Sequence, residues 1–177
     1  VTRDQLEHAI RAACDVAEDN EVWVFGSQAI LGEFPDAPED LRTSIEVDMQ
    51  PKNRPEMADL IDGALGELSR FHKTYDFYVR GLLIDDKALP QGWQHRAKPV
   101  VDEITTSGKI GWCLEAHDLA ASKLAVYREK DRDFVRTLLI QEMILAKILV
   151  ERINLLKIDQ GLRERLLQWT QSTIEEL

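Results

Sequence analysis

Cysteine, histidine and net positive charge are all scarce in this chain, and each shortage removes a class of function. Among 177 residues there are two cysteines, Cys14 and Cys113, far apart and without a CxxC spacing. That excludes a disulfide framework and a zinc ribbon, so each reads as a buried thiol. The four histidines, His8, His72, His95 and His117, are scattered with no HExxH pairing, which points to surface or helix-boundary roles rather than zinc ligation. No Ser-His-Asp or Cys-His set has support. Acidic residues outnumber basic ones 32 to 22, a net charge of -10, which argues against a uniformly basic nucleic-acid binder. Any contact with RNA then needs a local basic patch, helped by metal ions on the phosphates. No long apolar run is present either: residues 138–150 are interrupted by Glu142 and Lys147 and fall short of a bilayer span. The first residues, Val1 to Leu6, lack the apolar core of a signal peptide, and a start at Val points to trimming. A soluble, cytoplasmic protein without membrane contact is the expectation.

The length suits one core plus a helical appendage. Apolar residues at Leu6, Ile10, Ala13, Cys14 and Ala17 predict a helix over residues 2–18 with Thr2 as N-cap. Strands are expected at 21–25 and 43–50, with a helical turn at 27–31 and an acid- and Pro-rich loop at 32–40 between them. An amphipathic helix is expected over 55–71. Further strands are expected at 77–83, 100–106 and 109–114, with an irregular turn at 89–93 and a hairpin connection at 106–108. From Ala116 the period is 3.6 throughout, giving helices near 116–127, 130–139, 142–155 and 162–169. The stripe Leu138, Leu139, Met143, Ile144, Ile148 and Leu149 reads as core. There is no internal repeat or low-complexity segment. The organisation expected is a sheet domain over 1–114 and a helical region over 115–177.

Two short segments carry the chemistry. Gly26-Ser27 follows an apolar strand. A glycine there lets a ligand approach the backbone, the following turn offers free N–H groups, and Ser27 adds a hydroxyl for a phosphate oxygen. No Gly-Lys-Ser/Thr follows, so this is not a P-loop. After the loop comes Arg42-Thr-Ser-Ile-Glu-Val-Asp-Met49. Alternation in a strand puts Glu46 and Asp48 on one face and Ile45, Val47 and Met49 on the other, which is expected to be buried. Two neighbouring carboxylates attract a hard cation, Mg²⁺ or Mn²⁺. The ordinary alternative for each segment is a tight turn and a solvated strand face. Further on, Lys123 lies on the apolar stripe Leu119-Ala120-Leu124. Its ammonium there needs a partner, which an incoming triphosphate would supply, unless the stem merely covers the core. Arg128, Lys130, Arg132 and Arg136, with Asp131 and Asp133 among them, form either a basic patch or a salt-bridged helix face.

In these segments the chain resembles the polymerase-beta-like nucleotidyltransferase superfamily: a Gly-Ser, a spacer, and an acid-x-acid strand. Arg42 to Met49 looks like the lead-in of the toxin branch, the AbiEii and MenT proteins of type IV toxin-antitoxin systems. The block from His117 to Arg136 is similar to that branch's helical Asp-Leu-x-x-x-Lys-Leu with its basic-acidic turn. The resemblance covers nearly the whole chain and implies an α+β fold, a mixed sheet flanked by helices with a C-terminal helical region. It implies a Mg²⁺-dependent transfer of a nucleoside monophosphate from a triphosphate, CTP or UTP favoured, to the 3′ end of tRNA, restrained by a cognate antitoxin. DNA is not an implied partner. Gly26, Ser27, Lys123 and Arg128 would then bind the nucleotide, Glu46 and Asp48 the metal, and Lys123 and Asp131 would complete the catalytic set. Glu46 departs from the commoner Asp, and its extra methylene can move a metal by about an ångström.

Asp76, Asp102 and Asp131 are all open as a third carboxylate. Trp23 and Trp112 read as core, and Tyr75, Tyr78 and Trp93 as residues around a ligand. Two other functions also stay open: transfer to a small-molecule acceptor, and a catalytically silent nucleotide-binding or interaction module.

Overall fold

A computed structural model describes all residues 1–177. In chain order the elements are α1 (Arg3–Ala17), β1 (Glu21–Phe25), β2 (Glu46–Pro51), α2 (Ala58–Leu65), α3 (Arg70–Tyr75), β3 (Tyr78–Gly81), α4 (Trp93–Arg96), β4 (Lys98–Val100), β5 (Ile110–Cys113), α5 (Ala116–Val126), α6 (Glu129–Ile140), α7 (Ala146–Asn154) and α8 (Gln160–Glu176). The chain is α+β, with a five-stranded mixed sheet flanked by helices. No helix is long and apolar enough to cross a membrane. Two compact units form: Val1–Ile84 with Ala97–Glu115, and Asp85–Arg96 with Ala116–Leu177. The first holds 20 acidic and 10 basic residues and the second 12 of each, so the net charge of -10 belongs to the sheet unit.

In the sheet unit the strand order is β3-β2-β1-β5-β4. β1 runs antiparallel to β2 and parallel to β5; β2 runs parallel to β3, and β4 antiparallel to β5. Alternation gives the sheet one dry face, where Val22, Val24, Val47, Met49, Val79 and Cys113 are buried. α1 covers part of this face: a Cβ on Gly111 would collide with Ile10, so the missing side chain sets how closely the helix sits. α1 begins with a capping box, Thr2 accepting from the Gln5 N–H and the Gln5 side chain accepting in return, which satisfies two otherwise unpaired donors.

Four expectations for this unit are corrected. The second strand starts at Glu46 rather than residue 43, because the Ser44 hydroxyl accepts from the Glu46 N–H and takes the place of a ladder bond. Ile45, expected to be buried, is consequently 49% exposed. The helix over 55–71 is two helices, broken where Leu68 takes a left-handed φ of 68°, and Ser69 caps α3 by accepting from the His72 N–H. The strand over 100–106 is instead β4, ending at Val100. Beyond it the Asp102 carboxylate accepts from the Ile104 and Thr105 N–H groups, folding a turn where the ladder would continue.

In the helical unit, Leu119, Ala120, Leu124, Val135, Leu138, Leu149, Ile153 and Leu166 form the core. The fully buried Asp118 takes hydrogen bonds from Arg96 (Nε 2.8 Å, Nη2 3.0 Å) and from Arg152 (3.2 Å). The Gln91 N–H also donates to the Leu155 carbonyl. These contacts make Asp85–Arg96 part of the helical unit, although the 3.6 period begins only at Ala116. Trp93, expected around a ligand, is instead core, with its indole N–H on Asp86 at 2.8 Å. The helix expected over 142–155 starts only at Ala146. α6 ends in a Schellman motif, with the Met143 N–H on the Leu138 carbonyl, the Glu142 N–H on that of Leu139, and Glu142 at φ 55°. His117 Nε2 then accepts from the Leu145 N–H at the start of α7.

Candidate active site

In β2, Glu46 and Asp48 stand on the half-exposed face while Val47 and Met49 are buried. Asp48 lies opposite Phe25, the last residue of β1, and so next to Gly26. Gly26 has φ 71°, a left-handed conformation natural to glycine, and a Cβ added to it would run into the Asp48 carboxylate. The glycine is therefore required both by the turn and by the acid beside it. The chain then enters a short 3₁₀ turn, Ser27–Gly32, whose Gln28, Ala29, Ile30 and Leu31 are buried.

Glu46 is held from two sides. The Tyr78 hydroxyl donates to its Oε2 at 2.7 Å, and Arg80 Nη1 lies 3.7 Å from Oε1. Both partners come from β3, which pairs in parallel with β2 in the register Glu46 to Tyr78 and Asp48 to Arg80. Burial alone would raise the Glu46 carboxyl. Hydrogen bonds with Asp48 and Tyr78 and the Arg80 charge outweigh it and keep the group below the usual carboxylate range. The same bond to Glu46, with burial added, pushes the Tyr78 phenol up to about 12.

The remaining residues of the sheet-unit motif are occupied locally. Ser27 Oγ accepts from the Gln28 amide at 3.0 Å. Arg42 Nε donates to the Ala37 carbonyl at 2.6 Å, closing the acid- and Pro-rich loop. Asp76 is exposed at the left-handed C-cap of α3, and Asp102 is taken up by its turn.

Lys123, Arg128 and Asp131 come together in the helical unit. Asp131 is 1% exposed. It accepts from Arg128 through Nε (2.7 Å), Nη2 (3.2 Å) and the backbone N–H (3.2 Å). Lys123 Nζ lies 3.7 Å from the same carboxylate and 4.6 Å from the Phe134 ring centroid. The partner that Lys123 requires on its apolar stripe is thus present within the chain. Burial lowers the Lys123 ammonium pKa, and Asp131 opposes this only in part. For Asp131, burial raises the carboxyl, but the Arg128 hydrogen bonds and the Lys123 charge win and hold it low.

Trp23 and Trp112, expected in the core, are half-exposed, paired in register on the open face of β1 and β5. Lys52 Nζ lies 5.2 and 5.0 Å from their ring centroids, and Glu21 accepts from both the Trp112 indole N–H and Lys52. Tyr75 instead packs its ring on His8 and Phe71. Sequence reasoning did not single out Tyr78–Glu46, Arg80 or Asp118 as interacting groups; the signal for Arg80 was only its two-residue spacing from Tyr78.

Glu46 and Asp48 offer hard carboxylate oxygens from adjacent positions on one face, a donor set that fits Mg²⁺ or Mn²⁺. No group of three or more His, Cys, Asp or Glu forms that could hold a metal. The rest of a Mg²⁺ shell would then come from water and substrate phosphate, the usual arrangement for this ion. No protein-family model matches the chain, and no curated protein or solved structure matches it either.

Proposed function

We propose that the protein is a Mg²⁺-dependent nucleotidyltransferase of the polymerase-beta-like superfamily and its toxin branch, moving a pyrimidine nucleoside monophosphate to the 3′ end of tRNA. The observation that carries this reading is the Asp48 carboxylate set against a left-handed Gly26, with Glu46 on the same strand face. An acid pair beside a backbone without a Cβ suits a phosphate chain and its cation. Mg²⁺ bound by Glu46 and Asp48 would supply Lewis-acid polarisation of the α-phosphate. Gly26 makes room for the Asp48 carboxylate beside the turn and would meet the phosphates through its backbone, and Ser27, whose oxygen already accepts from Gln28, would donate its hydroxyl proton. Tyr78 and Arg80 fix the longer Glu46 side chain, which limits the displacement its extra methylene allows. The reading gives Lys123 the triphosphate charge, with Arg128 binding nucleotide and Asp131 orienting both cations. A cognate antitoxin would restrain the activity in the cytoplasm.

The test is incubation of the chain with Mg²⁺, each labelled nucleoside triphosphate in turn and total tRNA, with Asp48→Ala and Lys123→Ala as controls. Label in tRNA that both variants lose supports the reading and names the base. Full activity in both variants sinks the site assignment. A second reading, transfer to a cationic small molecule, is favoured by the net charge of -10 on the sheet unit, and label in an aminoglycoside rather than in tRNA would select it. Tight Mg-nucleotide binding without pyrophosphate release would select a silent module.

A further inference from the structure

The helical unit carries a second feature, which uses residues outside the set assigned above. Arg132 and Arg136 are four apart on α6, and Arg165 and Trp169 are four apart on α8, so each pair shares one helix face. The two faces meet through side chains. Arg132 and Arg165 both place their guanidinium carbons against the Tyr127 ring, at 4.6 and 5.7 Å from its centroid, and Arg136 lies 5.7 Å from that of Trp169. Aromatic rings and guanidiniums thus alternate along one seam. Arg136 also pairs with Asp133 at 3.0 Å, but neither Arg132 nor Arg165 makes an ion pair. Two like charges share one ring without a carboxylate between them. Their donors stay available, and a cation pair of this kind is complementary to successive oxyanions. The supporting ring is unusual too: Tyr127 takes a φ of 63°, a conformation rarely adopted by bulky residues.

We infer that this seam is a docking surface for the phosphodiester backbone of single-stranded RNA, with Arg132 and Arg165, held against the Tyr127 ring, on phosphates and Trp169 as the stacking platform. Interleaved arginines and aromatics are the device by which proteins hold single strands without reading sequence, because every base has a π-face and every linkage a charge. Charge complementarity to a regularly spaced polyanion favours the nucleic acid, and an acidic protein partner is the outcome against which the test is set. The surface lies in the unit with no net charge, where the repulsion expected from the overall -10 is absent. The inference rests on the proposed transfer only in naming this strand as the acceptor.

The test is binding of a fluorescein-labelled single-stranded oligoribonucleotide to the full chain, followed by anisotropy over a range of salt. For the double variant Arg132→Gln with Arg165→Gln, affinity should fall at least about tenfold at low salt. The slope of log affinity against log salt should flatten by about 1.4, because each single-strand phosphate contributes about 0.7. Trp169→Leu should weaken binding by about tenfold with the slope unchanged, since stacking is not salt-dependent. The charge-matched Lys147→Gln with Lys157→Gln should bind like wild type. Absence of RNA binding by the wild type, an Arg132/Arg165 double variant that binds normally, or an equal loss in the lysine control would each overturn the inference. Competition by polyglutamate as strong as by RNA would also overturn it, in favour of an acidic protein. Binding that follows these expectations in a chain with no transfer activity would sink the proposed function and leave the seam intact.

Discussion

The Asp48 carboxylate fills the space beside Gly26 into which a Cβ would project. One position therefore controls both the turn after β1 and the placement of an acid on β2. The substitution Gly26→Ala brings the cost of a left-handed φ together with a collision against a carboxylate on the neighbouring strand. We expect a loss of about 2–3 kcal/mol in urea unfolding and weaker Mn²⁺ binding by paramagnetic relaxation. Full stability in the alanine variant would show that Asp48 yields easily and that the glycine has no such role.

Tyr78 gives a separate handle on the acid pair. Tyr78→Phe removes the hydroxyl at 2.7 Å from Glu46 Oε2, so the Glu46 carboxyl should titrate at higher pH in the variant. Glu46 is depressed in the folded state, so its contribution to stability is present above the unfolded value and is lost as pH falls through the folded one. The variant should lose about 1–2 kcal/mol at neutral pH, with a smaller deficit in acid. Carboxyl NMR of Glu46 in both proteins checks the shift. The absorbance step of the phenol near pH 12 should also vanish. An unchanged Glu46 titration would mean that the bond does not govern the acid.

These dependencies show what was legible in the chain and what was not. The N-cap at Thr2 and the alternation in Glu46-Val-Asp48 are local, so cap chemistry and periodicity disclose them, although the return bond from Gln5 that completes the capping box was not read. Gly26 was legible as a turn, but not its contact with Asp48, which depends on antiparallel registry across an intervening loop. Leu68 continues an apolar period on paper yet stands 74% exposed, because Gly66 and Ser69 build a turn that rotates it out of the helix face. Asp102 likewise bends a run that scores as strand, since its carboxylate competes for the backbone N–H groups. Trp23 and Trp112 read as core by size, whereas registry puts them side by side on the open face with Lys52 against their rings.

Asp118 was read only as the first residue of the Asp-Leu-x-x-x-Lys-Leu block and was given no role of its own, yet it takes hydrogen bonds from two arginines and is fully buried. Asp118→Ala leaves Arg96 and Arg152 without their shared anion and should destabilise the protein by about 3–5 kcal/mol. Asp118→Asn keeps the shape and part of the bonding and should cost less. Urea denaturation followed by far-UV circular dichroism ranks the two. Equal, small losses would show that solvent compensates both arginines.

Asp131 ties the candidate nucleotide cations, Lys123 and Arg128, to one buried carboxylate, and its behaviour with pH tests that arrangement. Its folded-state pKa is held below the usual value of about 3.9 by Arg128 and Lys123 against the effect of burial. The stability it confers is therefore fully present above that value and disappears as pH falls through the folded one. Asp131→Asn should be less stable than wild type by about 1–3 kcal/mol at neutral pH, and the two urea midpoints should converge in acid. The variant also strips Lys123 of its only carboxylate partner, so the buried ammonium should deprotonate more readily than in the wild type. If transfer to tRNA depends on that charge, the variant's activity should decline at a lower alkaline pH than the wild type's. A stability gap that persists unchanged into acid would show that Asp131 acts through shape alone, and the alkaline shift in activity would then not be expected.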